Sequence, residues 1–315
     1  MTGMSLAGRL LHRRLGVRDM MWIALAALAP GALAAAWAWT PAALVQAASA
    51  ASAAMLAERA MLALRGNPPG ESSLDGSAAL AGAIVGLSVP PLAPLWVGAS
   101  AAVFGICIAK HCFGGLGANA FNPAMAGYAF AYVSFPFEFG AWPAHGEAVP
   151  WEYALRAMAG GEIPDAVAAP TALQDPDARF LGLVPAGLFA LGGLALVLAR
   201  IADWRLAAPY LAGVVAAALL LGEGGWPAAG EHLLAGGTAM AAFFVMTDPG
   251  SAPARPGCRV AVALAAGALT VTIREWGSHP DGIAFAVLAA NAIGPALDRA
   301  ADEIAARRRG GHARR

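Results

Sequence analysis

Thr171 carries the hydroxyl with the most chemical promise in this chain. It lies near the end of the 45-residue stretch 136–180, the one long polar segment in an otherwise apolar sequence. The local order is Asp165-Ala166-Val167-Ala168-Ala169-Pro170-Thr171-Ala172-Leu173. A threonine hydroxyl there can accept a phosphoester or simply cap a turn. The three cysteines, Cys107, Cys112 and Cys258, lack CxxC spacing, so neither zinc nor an iron–sulfur cluster is signalled. They read as small packing residues. The histidines form no HxxxH pair, so no metal ligand set and no catalytic residue is assigned. A second stretch of interest is Phe113-Gly114-Gly115-Leu116-Gly117-Ala118-Asn119-Ala120-Phe121-Asn122-Pro123. Its glycines permit tight turning and close approach to a ligand. Asn122 can cap a helix that has Pro123 at its first position. GxGxxG is absent and no strand precedes it, so this is no dinucleotide fingerprint. A tight re-entrant turn and a cofactor contact through Gly115 or Asn122 both fit.

These residues must be positioned by membrane helices. Of the 315 residues, 59% are hydrophobic and 13% charged, against about 25% charged in soluble domains. Apolar runs at 20–39, 41–64, 76–89, 95–109, 121–135, 181–199, 206–221, 233–246, 260–273 and 283–297 predict an all-α polytopic membrane protein of about ten transmembrane helices. The first run lacks a cleavage site followed by a soluble chain and reads as a retained span. With both termini cytoplasmic, 17 of the 20 Lys and Arg residues fall in cytoplasmic segments, leaving Arg156, Arg179 and Arg274 outside. The opposite orientation would break the positive-inside rule. Segment 136–180 is then periplasmic, with Glu138, Glu147, Glu152, Glu162, Asp165, Asp175 and Asp177 against two arginines. Zero net charge argues against a nucleic-acid partner. The basic end, with Arg307 to Arg309, reads as a solvated tail or a contact with anionic membrane lipid.

The halves echo each other. Pro90-Pro91-Leu92-Ala93-Pro94 follows the third span and Pro249-Gly250-Ser251-Ala252-Pro253 the eighth. Lys110 ends the fourth span eleven residues before Phe121, and Arg274 ends the ninth eleven residues before Phe285. Five spans per half is an odd number, so the second half is inverted, and such repeats place a site at their interface. The expected units are a five-helix repeat over 1–135, the loop 136–180, an inverted repeat over 181–300 and a tail over 301–315. No Asp, Glu, Lys or Arg is expected mid-span, since Glu58, Arg59, Asp75 and Asp248 all fall near predicted ends. No ion route is therefore read from the sequence.

At this point a resemblance emerges. Asp75-Gly76-Ser77, Leu87 through Pro94, Ile108-Ala109-Lys110, Gly114 through Gly117, Phe121-Asn122-Pro123-Ala124, Thr247-Asp248-Pro249 and Gly282 through Leu288 resemble the RnfD family, the D subunits of Rnf ion-translocating electron transport complexes. The match runs in order over most of the chain. It implies a bacterial inner-membrane flavoprotein, inactive alone, that relays electrons between ferredoxin and NAD with coupled Na⁺ or H⁺ movement. It implies FMN esterified to Thr171 by an FMN transferase that recognises Asp165. It also implies a second, non-covalent flavin such as riboflavin, and as partners the A, B, C, E and G subunits of an Rnf complex. Ala168, Ala169 and Pro170 stand where that family carries Ser, Gly and Ala, which changes the backbone a transferase grips. Arg274 is expected to pair with the FMN phosphate or a reduced ring, or else to anchor the helix end beside Glu275. Competing readings are the B subunit of a sodium-translocating NADH:quinone reductase, a channel or transporter with inverted repeats, and a purely structural component.

Overall fold

The computed structural model describes residues 15–66, 75–143, 149–161, 168–169, 179–222, 225–234, 236–277 and 282–312. Thr171 and Asp165 lie outside the described residues. Each of the ten apolar runs is largely helical where it is described, and among the described residues the fold is all-α apart from one two-residue bridge. The first repeat comprises α1 (Val17–Ala38), α2 (Ala42–Leu64), α3 (Ser77–Ser88), α4 (Leu95–His111) and α5 (Pro123–Ser134). The connecting segment holds β1 (Trp142–Pro143), α6 (Trp151–Met158) and β2 (Ala168–Ala169). The second repeat comprises α7 (Arg179–Leu198), α8 (Trp204–Leu221), α9 (Trp226–Leu234), α10 (Thr238–Met240, continuing as Ala241–Val245), α11 (Pro256–Trp276) and α12 (Ile283–His312).

Among the described residues, five helices are long and apolar enough to cross a membrane by themselves: α1, α2, α8, α11 and most of α12. By contrast α3 has 12 residues, which rise ~18 Å against the ~30 Å of a hydrocarbon core. It is a half-helix, and so is α10. The eighth apolar run, 233–246, is accordingly not one span. Gly236, with φ +65°, and Gly237 break it into α9 and α10. Gly236 reaches the left-handed region without a Cβ clash, so the chain turns there instead of continuing its helix.

Contacts between helix ends sort the molecule into two faces. At one, here the terminal face, the start of α1 meets the start of α3 and the end of α2 meets the end of α4. The start of α8 meets the start of α11 there too. The opposite face carries the segment between the repeats and is called the loop face. The repeats correspond in the order α1/α7, α2/α8, α3/α10, α4/α11 and α5/α12, with α9 extra.

Small residues bring the helices together, as membrane packing without a hydrophobic drive requires. A Cβ on Gly213 of α8 would lie 2.1 Å from the carbonyl of Leu264 in α11. One on Gly267 would lie 2.0 Å from the carbonyl of Tyr210, so the two backbones touch reciprocally. Helices α1 and α7, equivalent by the pseudo-twofold, pack along each other through Gly192 and the Ala27 carbonyl. Outward-facing Trp37, Trp226 and Trp276 are all exposed near the loop face, where amphipathic rings favour a membrane–water boundary.

Candidate functional site

Two cavities lie between the repeats, one near each face. The loop-side cavity holds about 240 Å³. Tyr128 and Tyr132 come from α5, Phe139 and Trp142 from the segment that follows, and Trp39 from the end of α1. Helices α7 and α10 add small residues, among them Gly182, Ala186 and Gly237. Among the described residues no Asp, Glu, Lys, Arg or His lines it. The terminal-side cavity is smaller, about 100 Å³, and has a charged end made by Lys110 and Asp248 with Ser77, Asn119 and Asn122.

The two half-helices link the cavities. Ser88, at the broken end of α3, borders the loop-side cavity. Thr247 and Asp248, at the broken end of α10, border the terminal-side one. Each half-helix thus starts beside one cavity and ends beside the other, because neither is long enough to pass both.

At the terminal face the chain builds a buried ion pair. Glu58 and Lys110 are each almost fully buried, and the Lys110 ammonium donates to the Glu58 carboxylate and, at 2.7 Å, to Ser77 Oγ. The Asp75 carboxylate accepts from the Ser77 backbone N–H at 2.8 Å and fixes the start of α3. Arg65 donates to the carbonyls of His111 and Gly114, closing the end of α4. Glu58 lies six residues before the end of α2, in the last part of the span as the sequence suggested, yet it is buried and its partner is 52 residues away, where no local pattern reveals it.

A polar seam joins the repeats beside this pair. Asn119 Nδ2 donates to Asp248 Oδ2 at 3.1 Å, and Ser251 Oγ donates to the same oxygen at 3.0 Å. Asn122 caps α5 through the Met125 N–H at 3.1 Å, donates to the Val245 carbonyl at 3.2 Å, and gives its own N–H to Asn291 Oδ1 at 2.9 Å. It caps its helix as the sequence suggested, with Pro123 first. It also ties α5 to α10 and α12, and it lines the terminal-side cavity. Gly115 has φ +104° and lies near Arg65 in the turn that follows α4, lining neither cavity.

Arg274 ends α11 at the loop face. Its Nη1 donates to the His232 carbonyl at 3.1 Å and to Thr238 Oγ1 at 3.0 Å. The Glu275 carboxylate meets His232 Nε2 across 2.9 Å, so the neighbouring carboxylate serves the histidine. Arg274 does not itself line the loop-side cavity, but it holds the Gly236–Thr238 turn whose glycines do. Sequence reasoning missed Tyr128, Tyr132, Phe139 and Trp142. Their one signal was aromatic density in 128–142, which a membrane-boundary belt explains equally well.

Such an arrangement defines a class: a polytopic α-helical membrane protein of two inverted repeats, with broken helices and paired cavities at their interface. Residues 8–306 match the model of the NQR2, RnfD, RnfE family, and the chain belongs to that family. It is 40% identical over 304 residues to the D subunit of the ion-translocating oxidoreductase complex of Pseudomonas aeruginosa strain UCBPP-PA14, covering 89% of this chain and 88% of that one. Proteins of the same description from Marinobacter nauticus and Aeromonas hydrophila are 34% and 33% identical. These two alignments cover 89% and 91% of this chain and 88% and 93% of the relatives.

Proposed function

We propose that this chain is the flavin-carrying membrane component of a redox-driven ion pump, with FMN joined to Thr171 and its ring seated in the loop-side cavity. The carrying observation is the junction between β1 and β2. Trp142 pairs with Ala169 and Pro143 with Ala168 in an antiparallel bridge, and Trp142 lines the cavity. The bridge brings the described part of the loop, which ends two residues short of Thr171 in the sequence, to the cavity, and this supports the reading.

The cavity suits a planar heteroaromatic group. Its volume of about 240 Å³ approaches the ~300–1,000 Å³ of ligand pockets. Its lining is aromatic and small, and among the described residues it carries no charge that would hold a phosphate. A ring inside with its phosphate on the loop satisfies both facts. A bound flavin supplies one- and two-electron chemistry. The residues of this chain hold the ring at a fixed depth, exclude water from it with Phe139 and Trp142, and support its seat through Arg274 and Thr238. Asp165 is the transferase recognition residue in this reading. The terminal-side cavity, at about 100 Å³, is a polar counterpart for a second, non-covalent flavin only if it widens, and Asn122 is its contact there.

The names of the relatives supply the setting: a complex that couples oxidoreduction to ion translocation. We place this chain in the inner membrane with both termini cytoplasmic, from the charge sorting. Among the described residues no three His, Cys, Asp or Glu side chains are arranged to hold a metal. The chain has no nucleotide fingerprint either. Electrons from ferredoxin or NADH must therefore arrive through neighbouring components of the complex. Mass spectrometry of the tryptic peptide 157–179 tests the assignment. The expected result is an FMN adduct on Thr171, lost with in-gel fluorescence in Thr171→Ala while the protein still accumulates. Fluorescence that survives that substitution moves the flavin elsewhere.

A further inference from the structure

Tyr128 and Tyr132 stand one turn apart on α5, so both rings share a helix face. Both line the loop-side cavity. Their rings are near-parallel, with centroids 6.1 Å apart and planes 23° apart. Phe139 is set edge-on against each, at 5.3 Å from Tyr128 and 5.0 Å from Tyr132. Phe285 braces Tyr132 from α12 at 6.1 Å. Helix α5 carries these rings on a frame fixed at its other end by the Asn122 cap and the Asn291 contact. Aromatic rings held by edge-to-face neighbours cannot turn freely, and a rigid aromatic surface loses little entropy when a ring is laid against it.

We infer that Tyr128 and Tyr132, braced by Phe139, form the aromatic wall against which a planar heteroaromatic ring is held in the loop-side cavity. The inference rests on the flavin reading above and names the residues that would position the ring. Charge plays no part in this recognition, since no charged side chain lines the cavity among the described residues. Affinity comes from stacking and from the apolar area the ring covers. The cavity accordingly selects for a neutral, flat, fused-ring group and against a bare sugar phosphate.

The test uses the full chain carrying Thr171→Ala, so that no tethered flavin fills the cavity, titrated with lumiflavin, an isoalloxazine without the ribityl phosphate arm. Lumiflavin is expected to bind, with Tyr132→Leu weakening it up to about tenfold and Tyr132→Phe by less than about twofold, since one aromatic pair is worth ~0.5–1.5 kcal/mol. In the Thr171-bearing protein, Tyr132→Leu is expected to change the visible circular dichroism of the attached flavin while its content by mass stays constant. If Tyr132→Leu fails to insert, Phe139→Leu, which removes the brace, takes its place with the same expectation. Failure of lumiflavin to bind, or equal affinity for the leucine and parent proteins, overturns the inference. An adduct on Thr171 without any effect at Tyr132 defeats this inference alone. Absence of the adduct defeats the flavin reading, while the lumiflavin titration still decides whether the tyrosines hold a ring.

Discussion

Lys110 and Arg274 hold equivalent places at the ends of α4 and α11, and each reaches back to the hydroxyl that starts the half-helix of its own repeat. Lys110 binds Ser77 Oγ at 2.7 Å and Arg274 binds Thr238 Oγ1 at 3.0 Å. There the likeness ends. Lys110 is buried and meets a buried carboxylate, Glu58. Arg274 is half-buried and meets a neutral carbonyl and a hydroxyl. A charge withdrawn from water needs a partner of opposite sign, and Glu58 supplies it to Lys110. The terminal-face latch is thus a tight, buried ion pair and the loop-face latch a guanidinium on a carbonyl and a hydroxyl, and the larger cavity, with no charged lining among the described residues, adjoins the second.

The largest break in that comparison is expected at the tight latch. Lys110→Ala leaves Glu58 buried without its cation, which costs ~3–5 kcal/mol where such pairs have been broken from one side. Thermal unfolding in detergent or nanodiscs should show a large fall, and Glu58→Ala should match it. Replacing both, as Lys110→Met with Glu58→Leu, should recover most of the loss, because neither charge is then stranded. Equal loss in the double variant would mean that the pair acts through something other than its charges.

Arg274→Ala comes next. Hydrogen bonds from a charged donor are worth ~1.5–3 kcal/mol, and here two are lost at a half-buried arginine. The smaller fall should be accompanied by a looser Gly236–Thr238 turn, read as faster amide exchange confined to α9 and α10. Arg274→Lys should restore only part, since an ammonium lacks the guanidinium fork that spans two acceptors. Exchange that rises equally in α3 would erase the distinction between the latches.

Asn122→Ala should cost less again, ~0.5–2 kcal/mol, as typical of a lost N-cap. Its Nδ2 bond to the Val245 carbonyl crosses between repeats, so the loss should also lower cooperativity between them. Asn122→Asp keeps the cap acceptor but loses the amide donor, and it should fall between the two. A loss as large as that of Lys110→Ala would show that the seam, not the latch, is the main restraint at the terminal face.

Much of this frame is legible in the sequence. Proline corners and the paired basic residues mark the repeat because Lys110 and Arg274 perform the same local task, and local tasks leave local spacing. Asn122-Pro123 reads as a cap because capping involves only three following residues. The break at Gly236-Gly237 is hidden because 233–246 has the length and polarity of one span, and a glycine pair in a membrane helix is as often a packing surface. The Glu58–Lys110 pair is hidden because its members meet only after α2 and α4 are packed. The aromatic wall is only partly hidden: Tyr128, Tyr132 and Phe139 lie close in sequence, but Phe285 joins them only after α12 is packed. Thr171 is legible only by resemblance, since an isolated hydroxyl in a loop has no spacing of its own.

The smallest expected effect separates the second helices of the repeats by their caps. Helix α2 begins beside Thr40, whose Oγ1 accepts from the Ala42 N–H at 3.4 Å, a long and neutral contact. Helix α8 begins at Asp203, whose carboxylate accepts from the Arg205 N–H at 2.9 Å and from Arg259 Nη1 at 2.7 Å. Partial burial pushes the Asp203 carboxyl up, but the Arg205 N–H and the Arg259 guanidinium together outweigh it and hold the group below the usual 3.8. A carboxyl depressed in the folded state stabilises above its unfolded value and loses that contribution as pH falls through the folded one. Stability from this cap should therefore be constant from neutral pH down to about pH 5 and decline only below about pH 4. The amount is small, ~0.2–1 kcal/mol for a partly exposed pair. Asp203→Asn should lower thermal stability slightly at pH 7, with the gap to the parent closing on acidification, while Thr40→Ala should leave a gap that does not vary with pH. A gap for Asp203→Asn that persists unchanged at pH 3 would assign the loss to hydrogen-bond geometry or packing that the amide fails to reproduce, and not to the carboxylate's charge.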